Sequence, residues 1–127
     1  MTVPTRAAVW LDHHEARVFH VDLEGFDERL LHAPAHHFSR HPKAGPHVHP
    51  DDEHHFFVDL AKTLATAEEI LVLGPSTAKN EFLHYVQQQA RDLSSKITGV
   101  ETADHPTDAQ IVAHMRTHFG MPVRRAR

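Results

Sequence analysis

The sequence contains no cysteine among its 127 residues. This absence excludes a disulfide scaffold, a cysteine-based zinc ribbon and a thiol nucleophile. The sequence also lacks a run of about 18 apolar residues, the length that a membrane-spanning helix requires. Its first residues lack the apolar core of a signal peptide. We therefore expect a cytoplasmic protein that makes no contact with a membrane.

Basic side chains are too few to balance the acidic ones. The 13 Lys and Arg residues face 17 Asp and Glu residues, which leaves a formal net charge of −4 at pH 7. A net negative surface disfavours indiscriminate binding to duplex DNA, so we predict no such partner. The chain also has 15 histidines. Because imidazole ordinarily titrates near about 6.5, the net charge should turn positive in mildly acidic solution.

The length is typical of a single domain, and we treat residues 1–127 as one domain with its core at about 7–119. The first part of the chain predicts β-structure, because a buried apolar run is followed by an alternating segment. Asp12-His13-His14 is predicted to form a tight turn between them. The three predicted strands are Ala7–Leu11, Glu15–Val21 and Asp27–Ala33.

The second part of the chain alternates between helix and strand. Apolar residues spaced three or four apart predict three helices, beginning after Pro50, near Ser76 and at Thr107. The second helix is predicted to reach about Leu93. The strands that separate the helices are Glu69–Leu73 and Ile97–Thr102.

The order βββαβαβα indicates an α/β fold, with a mixed sheet of about five strands and three helices packed on it. We expect the first, fourth and fifth strands to form the middle of the sheet. Their apolar runs lack the polar alternation of a half-exposed strand, so both faces should be covered.

A segment broken by proline separates the third strand from the first helix. Residues 37–50 include three prolines and one glycine, so few backbone hydrogen bonds can form there. We predict that this loop is mobile and that residues 121–127 form a basic C-terminal tail.

The histidines in and beside this loop suggest a metal site. In an extended chain His47 and His49 point their rings to the same side, and His54 or His55 could supply a third ligand. Neutral imidazole is a good ligand for zinc or nickel. Ordering a proline-rich loop costs conformational entropy, however. The alternative is that the cluster holds no specific metal, and we expect no cofactor.

The same loop carries side chains that suit RNA. Cations and imidazoles donate hydrogen bonds to phosphate, and an aromatic ring can stack on a base. The alternative is a solvated loop that has no partner. The candidate residues for binding RNA or another partner are Phe38, Arg40, His41, Lys43, His47 and His49.

The start of the second predicted helix is a candidate anion or partner site. Ser76 and Thr77 precede the helix, whose first backbone N–H groups have no acceptor within the helix, and Lys79 adds a cation. Pro75 removes one donor and the turn is not rich in glycine. The pattern for nucleotide binding is therefore weak.

Three segments resemble one protein family in the same order. The residues that carry the resemblance are Ala8–Phe19, Glu69–Phe82 and Ile97–Thr107, most specifically Leu73-Gly74-Pro75 followed by Lys79 and Phe82. They resemble the middle domain of archaeal and eukaryotic peptide-chain release factors and of Pelota, a ribosome-rescue factor. They are more similar still to small bacterial relatives known as translational machinery proteins. The resemblance implies a ribonuclease-H-like fold and a ribosomal partner.

One departure from that family bears on activity. In release factors the loop after the third strand carries Gly-Gly-Gln, which enters the ribosomal peptidyl-transferase centre. The corresponding residues 36–50 contain no Gly-Gly-Gln, and no glutamine occurs before Gln87. Hydrolysis of peptidyl-tRNA by that motif is therefore not expected.

Two further patterns have both a functional and a structural interpretation. Asp12 ends the first strand, where ribonuclease-H enzymes carry a metal-binding carboxylate, and Asp59 and Asp104 are the other candidates. The alternative is that Asp12 forms the turn. His114 and His118 lie four residues apart on the third helix and could chelate a metal or simply face solvent.

These observations lead us to expect a translation- or ribosome-associated accessory protein without catalytic activity, with the ribosome or structured RNA as its partner. The alternative is a metal-binding or pH-responsive protein that uses the histidine-rich loop. A third hypothesis is a metal-dependent RNA-processing enzyme. The oligomeric state stays open at this point.

Overall fold

The computed structural model describes residues 5–21, 26–33 and 50–121. The predicted mobile loop over residues 37–50 lies outside the described residues except for Pro50, and so does the predicted tail beyond Met121. The elements are, in chain order, β1 (Arg6–Leu11), β2 (Glu15–Val21), β3 (Phe26–His32), α1 (Pro50–Leu64), β4 (Glu69–Gly74), α2 (Ala78–Gln89), α3 (Arg91–Ser94), β5 (Ile97–Thr102) and α4 (Asp108–His118).

The five strands form one mixed sheet in the order β3-β2-β1-β4-β5. β2 pairs antiparallel with both β1 and β3, whereas β1, β4 and β5 run parallel to one another. The predicted mixed α/β sheet of five strands is therefore confirmed, and so is the hairpin of the first two strands.

The prediction that the fifth strand lies in the middle of the sheet is wrong. β5 is an outer strand that pairs only with β4, and β2 takes the inner position between β1 and β3. Ile97 and Val100 of β5 pack against the core under the helices. The other four residues of β5 are glycine or polar and none of its six residues is fully buried, which is typical of an outer strand.

Two apolar cores stabilise the sheet, one on each face. Alternate residues of a strand point to opposite faces, so a strand covered on both sides reads as a continuous apolar run. Val9 and Val72 lie in the core beneath α1 and α2. Trp10 and Leu71 lie in the core beneath α4. The predicted apolar stripes of the helices are buried at Phe56, Leu60, Leu64, Phe82, Val86, Ile111 and Met115.

The described residues form four helices where the sequence predicts three. The second predicted helix ends as α2 at Gln89, and Ala90 leaves the helical conformation (φ −144°, ψ 61°) before the four-residue α3. The bend buries Leu93 in the core, where it is 5% exposed. Such tertiary burial overrides helix propensity, which is why the periodicity did not reveal the bend. No helix in the described ranges is long and apolar enough to cross a membrane.

Both ends of α4 are fixed by local hydrogen bonds. The Thr107 hydroxyl accepts from the Gln110 backbone N–H (3.1 Å), and the Gln110 side chain accepts from the Thr107 N–H (2.8 Å), which confirms the predicted start of this helix. At the other end Gly120 adopts a positive φ of 69°. The chain then turns so that the Met121 N–H reaches the carbonyl of Arg116 (2.7 Å).

Candidate functional site

The parallel strands β1, β4 and β5 end at the same edge of the sheet, which we call the carboxyl edge. The loops that follow them cover residues 12–14, 75–77 and 103–107. In open α/β sheets, ligands commonly bind outside the carboxyl ends of the strands. The predicted anion site and Asp12 both lie at this edge.

Gly74 allows β1 and β4 to approach each other closely at the carboxyl edge. A Cβ atom at this position would clash with the carbonyl oxygen of Leu11. The carbonyl of Gly74 also accepts the N–H of Ala103 (2.9 Å), which holds the loop after β5 against the end of β4. Gly74, in the most specific part of the resemblance, therefore has a structural role here.

Asp12 acts as a turn former in the loop between β1 and β2. Its Oδ1 atom accepts the backbone N–H groups of His14 (2.7 Å) and Glu15 (2.9 Å). Asp59 lies on the exposed surface of α1 and Asp104 lies in the exposed loop after β5. Within the described ranges, no three His, Cys, Asp or Glu side chains lie close enough to share a metal ion. This geometry favours the structural interpretation of Asp12.

Glu81 connects the first two loops of the carboxyl edge. Its Oε1 atom lies 3.1 Å from Nε2 of His13, and its Oε2 atom accepts the Thr77 hydroxyl (3.2 Å). Thr77 occupies the N-cap position of α2, but its hydroxyl makes no capping hydrogen bond to the backbone. The side chain of Thr77 is therefore engaged with a carboxylate, and the anion site stays a prediction.

Lys79 and Ser76, the other members of the predicted anion site, have opposite exposures. Ser76 is exposed, whereas Lys79 is only 7% exposed. The Lys79 ammonium donates to the carbonyl oxygen of Ser76 (2.5 Å). In this conformation the cation supports the turn before α2 and does not extend into solvent.

A groove of about 570 Å³ runs between α1 and α2, beside the carboxyl edge. Tyr85 lines it, with its ring 5.6 Å from that of His54 and 5.7 Å from that of Phe57. Ring faces and amide side chains suit a planar polar ligand such as a nucleobase. The residues that line the groove are His54, Phe57, Thr77, Asn80, Glu81, His84, Tyr85, Gln88 and Gln89. The sequence pattern does not indicate this groove, because it forms only where α1 and α2, which are distant in the sequence, lie side by side.

The groove brings together His54 and Thr77, which belong to two different predicted sites. His54 and His55 are both exposed near the start of α1, with ring centroids 6.3 Å apart. The predicted partners in the loop, His47 and His49, lie outside the described residues. The RNA-binding candidates Phe38, Arg40, His41 and Lys43 lie outside them as well.

Arg17 and Trp10 form a contact network that the sequence analysis missed. The Arg17 guanidinium lies 4.6 Å from the centre of the Trp10 ring and donates to Asp108 (2.7 Å) and to the carbonyl of Pro106 (3.1 Å). The indole N–H of Trp10 donates to the carbonyls of Ala103 (3.1 Å) and Asp104 (3.0 Å). The network fixes the loop after β5. The sequence feature that could have indicated this network is Arg17 itself, a charged residue on a face of β2 that is largely buried.

His114 and His118 face the outer strand β5. Nε2 of His114 lies 2.7 Å from Oε1 of Glu101, and Nδ1 of His118 lies 3.9 Å from Oε2 of the same carboxylate. Nε2 of His118 also bonds the Thr98 hydroxyl (2.8 Å). The pair is therefore engaged by β5, and Glu101 is the partner that the helix spacing alone could not indicate.

Two titratable side chains on β2 and β3 have shifted pKa values. Burial lowers the pKa of His20, against the opposing effect of Asp27. Partial burial raises the pKa of Glu28, and the neighbouring Asp108 carboxylate adds to this shift while Arg17 opposes it. Both shifts disfavour the charged form of the side chain.

No family model matches the sequence, and no curated protein is similar enough in sequence to count as a relative. Solved structures share the fold. The Pelota protein of Thermoplasma acidophilum matches 91% of this chain with a TM-score of 0.63 at 23% identity. The archaeal translation termination factor aRF1 matches 82% with a TM-score of 0.57 at 12% identity. Dom34 of S. cerevisiae matches 87% with a TM-score of 0.56 at 10% identity.

These matches confirm the resemblance to Pelota and the release factors at the level of the fold, and with it the predicted ribonuclease-H-like architecture. The shared region covers 32%, 31% and 32% of the three proteins, so this chain spans about a third of their length. It is therefore similar to one part of each.

Proposed function

We propose that this chain is a non-catalytic accessory protein of translation that binds the ribosome through ribosomal RNA. The observation that supports the proposal most is the fold, which matches Pelota and a termination factor over most of the chain. The yeast relative in fold is described as a translation termination-like factor involved in RNA quality control. We assign the protein to the cytoplasm, since ribosomes act there.

The proposed RNA-binding surface combines the predicted loop with the groove between α1 and α2. The loop supplies Arg40 and Lys43 for phosphate, and Phe38 for stacking. The groove supplies the Tyr85 ring and the amide of Asn80 beside the start of α1, where the loop ends. Stacking and phosphate contacts together give the affinity that single-stranded or splayed RNA requires.

The proposal excludes peptide release by the Gly-Gly-Gln motif, because the sequence lacks it. It also assigns no nuclease role to Asp12, whose Oδ1 atom is occupied by two backbone N–H groups.

Co-sedimentation of the full chain with purified ribosomes at low and high salt tests the proposal. Phosphate contacts release counterions, so binding should be present at low salt and weaken steeply at high salt. The variant Arg40→Glu with Lys43→Glu should lose binding, whereas the exposed control Lys62→Glu with Arg91→Glu should keep it. Absence of binding at both salt concentrations would contradict the proposal.

A second candidate function is metal binding or a response to pH. Two histidine–carboxylate contacts favour it, His13 with Glu81 (3.1 Å) and His114 with Glu101 (2.7 Å), because each contact becomes an ion pair when the imidazole is protonated. For the metal, the proposed ligands of zinc or nickel are His47 and His49 with His54 or His55.

Calorimetric titration with zinc tests this second candidate. One tight site per chain that His47→Ala with His49→Ala removes, and that the control His84→Ala with His105→Ala retains, would support it. Weak binding of several ions per chain, unchanged by either variant, would contradict it.

A further inference from the structure

The outer strand β3 is the least covered element of the sheet. It pairs only with β2, and six of its seven residues are exposed. Phe26 and Leu30 are 51% and 50% exposed, and they are the exposed large apolar side chains of the described residues. A strand edge with uncovered apolar residues is a template for pairing with another strand.

The backbone of β3 shows which of its groups are free to pair. The N–H of Ala33 donates to the carbonyl of His14 on the β2 side (2.8 Å). In an antiparallel pair, alternate residues direct their N–H and C=O groups to the same neighbour. The odd-numbered residues of β3 therefore face β2, and Phe26, Glu28 and Leu30 direct their backbone groups outward.

The side chains of β3 are divided between the two faces of the sheet. Leu31 packs against the core beneath α1 and α2, so Asp27 and Arg29 lie on that face. Phe26, Glu28 and Leu30 lie on the α4 face, where the Phe26 ring is 6.0 Å from that of Phe19. One face of the strand thus carries two opposite charges, and the other carries two apolar side chains with Glu28 between them.

We propose that two copies of this chain form a dimer by antiparallel pairing of their β3 strands about a two-fold axis at Glu28. In this register Asp27 of each copy lies opposite the partner's Arg29, and Phe26 of each copy lies opposite the partner's Leu30. The two-fold symmetry therefore gives two pairs of each kind. All the outward backbone groups of Phe26, Glu28 and Leu30 then find partners. The two five-stranded sheets continue into one.

The pairing of charged side chains favours this register over the registers shifted by two or four residues. Moving one β3 strand along the other by two residues places Arg29 opposite the partner's Arg29. Like charges directly opposite each other are destabilising. A four-residue shift places Leu30 opposite the partner's Leu30 but leaves Arg29 opposite the partner's Leu31, so both Asp–Arg pairs are lost. Only the axis at Glu28 gives two charge pairs and two apolar pairs together.

The proposed register brings the two Glu28 carboxyls opposite each other on the α4 face. Arg17 lies near each of them, and the environment already disfavours ionisation of Glu28. Replacing Glu28 with Gln removes the remaining repulsion, so this variant should dimerise more tightly than the parent chain.

Sedimentation equilibrium from micromolar to millimolar concentration tests the dimer. The mass should rise from the 14.4 kDa of one chain to twice that value. Arg29→Asp sets like charges opposite each other and should raise the dissociation constant at least about tenfold. The double variant Asp27→Arg with Arg29→Asp should restore the dimer. Arg91→Asp makes the same charge change on α3 and should have no such effect. Circular dichroism checks that each variant folds.

Single-cysteine variants test the register, because the sequence has no cysteine of its own. Residues opposite each other at a hydrogen-bonded pair have Cα atoms about 5.5 Å apart, which a disulfide can bridge. Glu28→Cys should therefore form a disulfide dimer on mild oxidation. The Leu30→Cys positions would lie about 13 Å apart along the ladder and should stay monomeric.

Three results would overturn the proposal. One is a parent chain that stays monomeric at every concentration, as it would if another segment of the chain covered β3. Another is a dimer that Arg29→Asp leaves unchanged. The third is efficient cross-linking of Leu30→Cys without that of Glu28→Cys, which would require another register.

Discussion

The two outer strands of the sheet differ in how the rest of the chain covers them. α4 reaches β5 through His114, which contacts Glu101 (2.7 Å), and through His118, which bonds Thr98 (2.8 Å). β3 is covered on the face where Leu31 packs beneath α1 and α2, but Phe26 and Leu30 on its other face are half exposed. Among the described residues, the chain's own α4 therefore engages side chains of β5, whereas the α4 face of β3 is left open for the proposed partner.

The folding stability of one chain and its association with a partner should therefore depend on different parts of the sheet. Side chains beneath α4, on the side of β5, are buried on folding, so their removal should cost stability. Exposed side chains of β3 should contribute little to the stability of one chain and much to association. The predictions below test this separation, beginning with the largest effect.

Met115→Ala should destabilise the fold most. Met115 is fully buried in the core beneath α4, and truncating such a side chain costs about 2–5 kcal/mol through lost contacts and the cavity left behind. Urea unfolding of the dilute chain measures this. The control Leu30→Ala on β3 should change the free energy of unfolding by less than about 0.5 kcal/mol. Equal losses for both variants would erase the distinction between the two edges.

Gly74→Ala should cost about 1–3 kcal/mol, because the new methyl group would clash with the backbone carbonyl of Leu11 and neither strand can move freely. Gly99→Ala on β5 is the matched comparison. Its Cβ would lie 3.2 Å from atoms of the His118 and Leu71 side chains, which can shift. The Gly99 variant should therefore lose less free energy of unfolding in the same urea titration, and the reverse order would contradict this account of the carboxyl edge.

His20, which pairs with Asp27 across β2 and β3, should make stability depend on pH. Burial lowers the pKa of His20 in the folded chain, so the unfolded chain binds the proton more readily. The free energy of unfolding should therefore fall as the pH decreases below about 6.5, and His20→Asn should reduce that slope. Urea midpoints at several pH values measure it, with Gln88→Asn as a non-titrating control. An unchanged slope in His20→Asn would refute the assignment.

Glu101→Gln should have the smallest effect, a loss of about a few tenths of a kcal/mol, because ion pairs on the surface are screened by solvent. The contact with His114 is short (2.7 Å), but both side chains are more than 40% exposed. The loss should disappear in high salt. A loss as large as that of Met115→Ala would mean that the ion pair, and not the core, holds α4 to β5.

The sequence predicts those parts of the fold that local patterns determine. The apolar runs of β1 and β4, the stripe at Phe56, Leu60 and Leu64, and the capping box at Thr107 all depend on neighbouring residues, and the structure has them in place. The outer position of β5 and the bend at Ala90 depend on contacts between distant residues, which periodicity does not encode.

The candidate site shows the same division. The sequence indicated that Asp12 forms a turn, because a turn depends on neighbouring residues. The contact of Arg17 with Asp108 joins residues 91 positions apart, and the contact of His13 with Glu81 joins residues 68 positions apart. Such partners become visible only when the sheet brings the loops of the carboxyl edge together.

The central claim, that this chain binds the ribosome, is tested most directly by the stoichiometry of binding. The fluorescently labelled full chain is titrated with purified ribosomes in low salt, and its anisotropy is followed to saturation. We predict a saturable curve with a fixed number of chains per ribosome, and a dissociation constant that rises steeply with salt concentration. A curve that does not saturate, or no change in anisotropy at the lowest salt concentration, would contradict the claim.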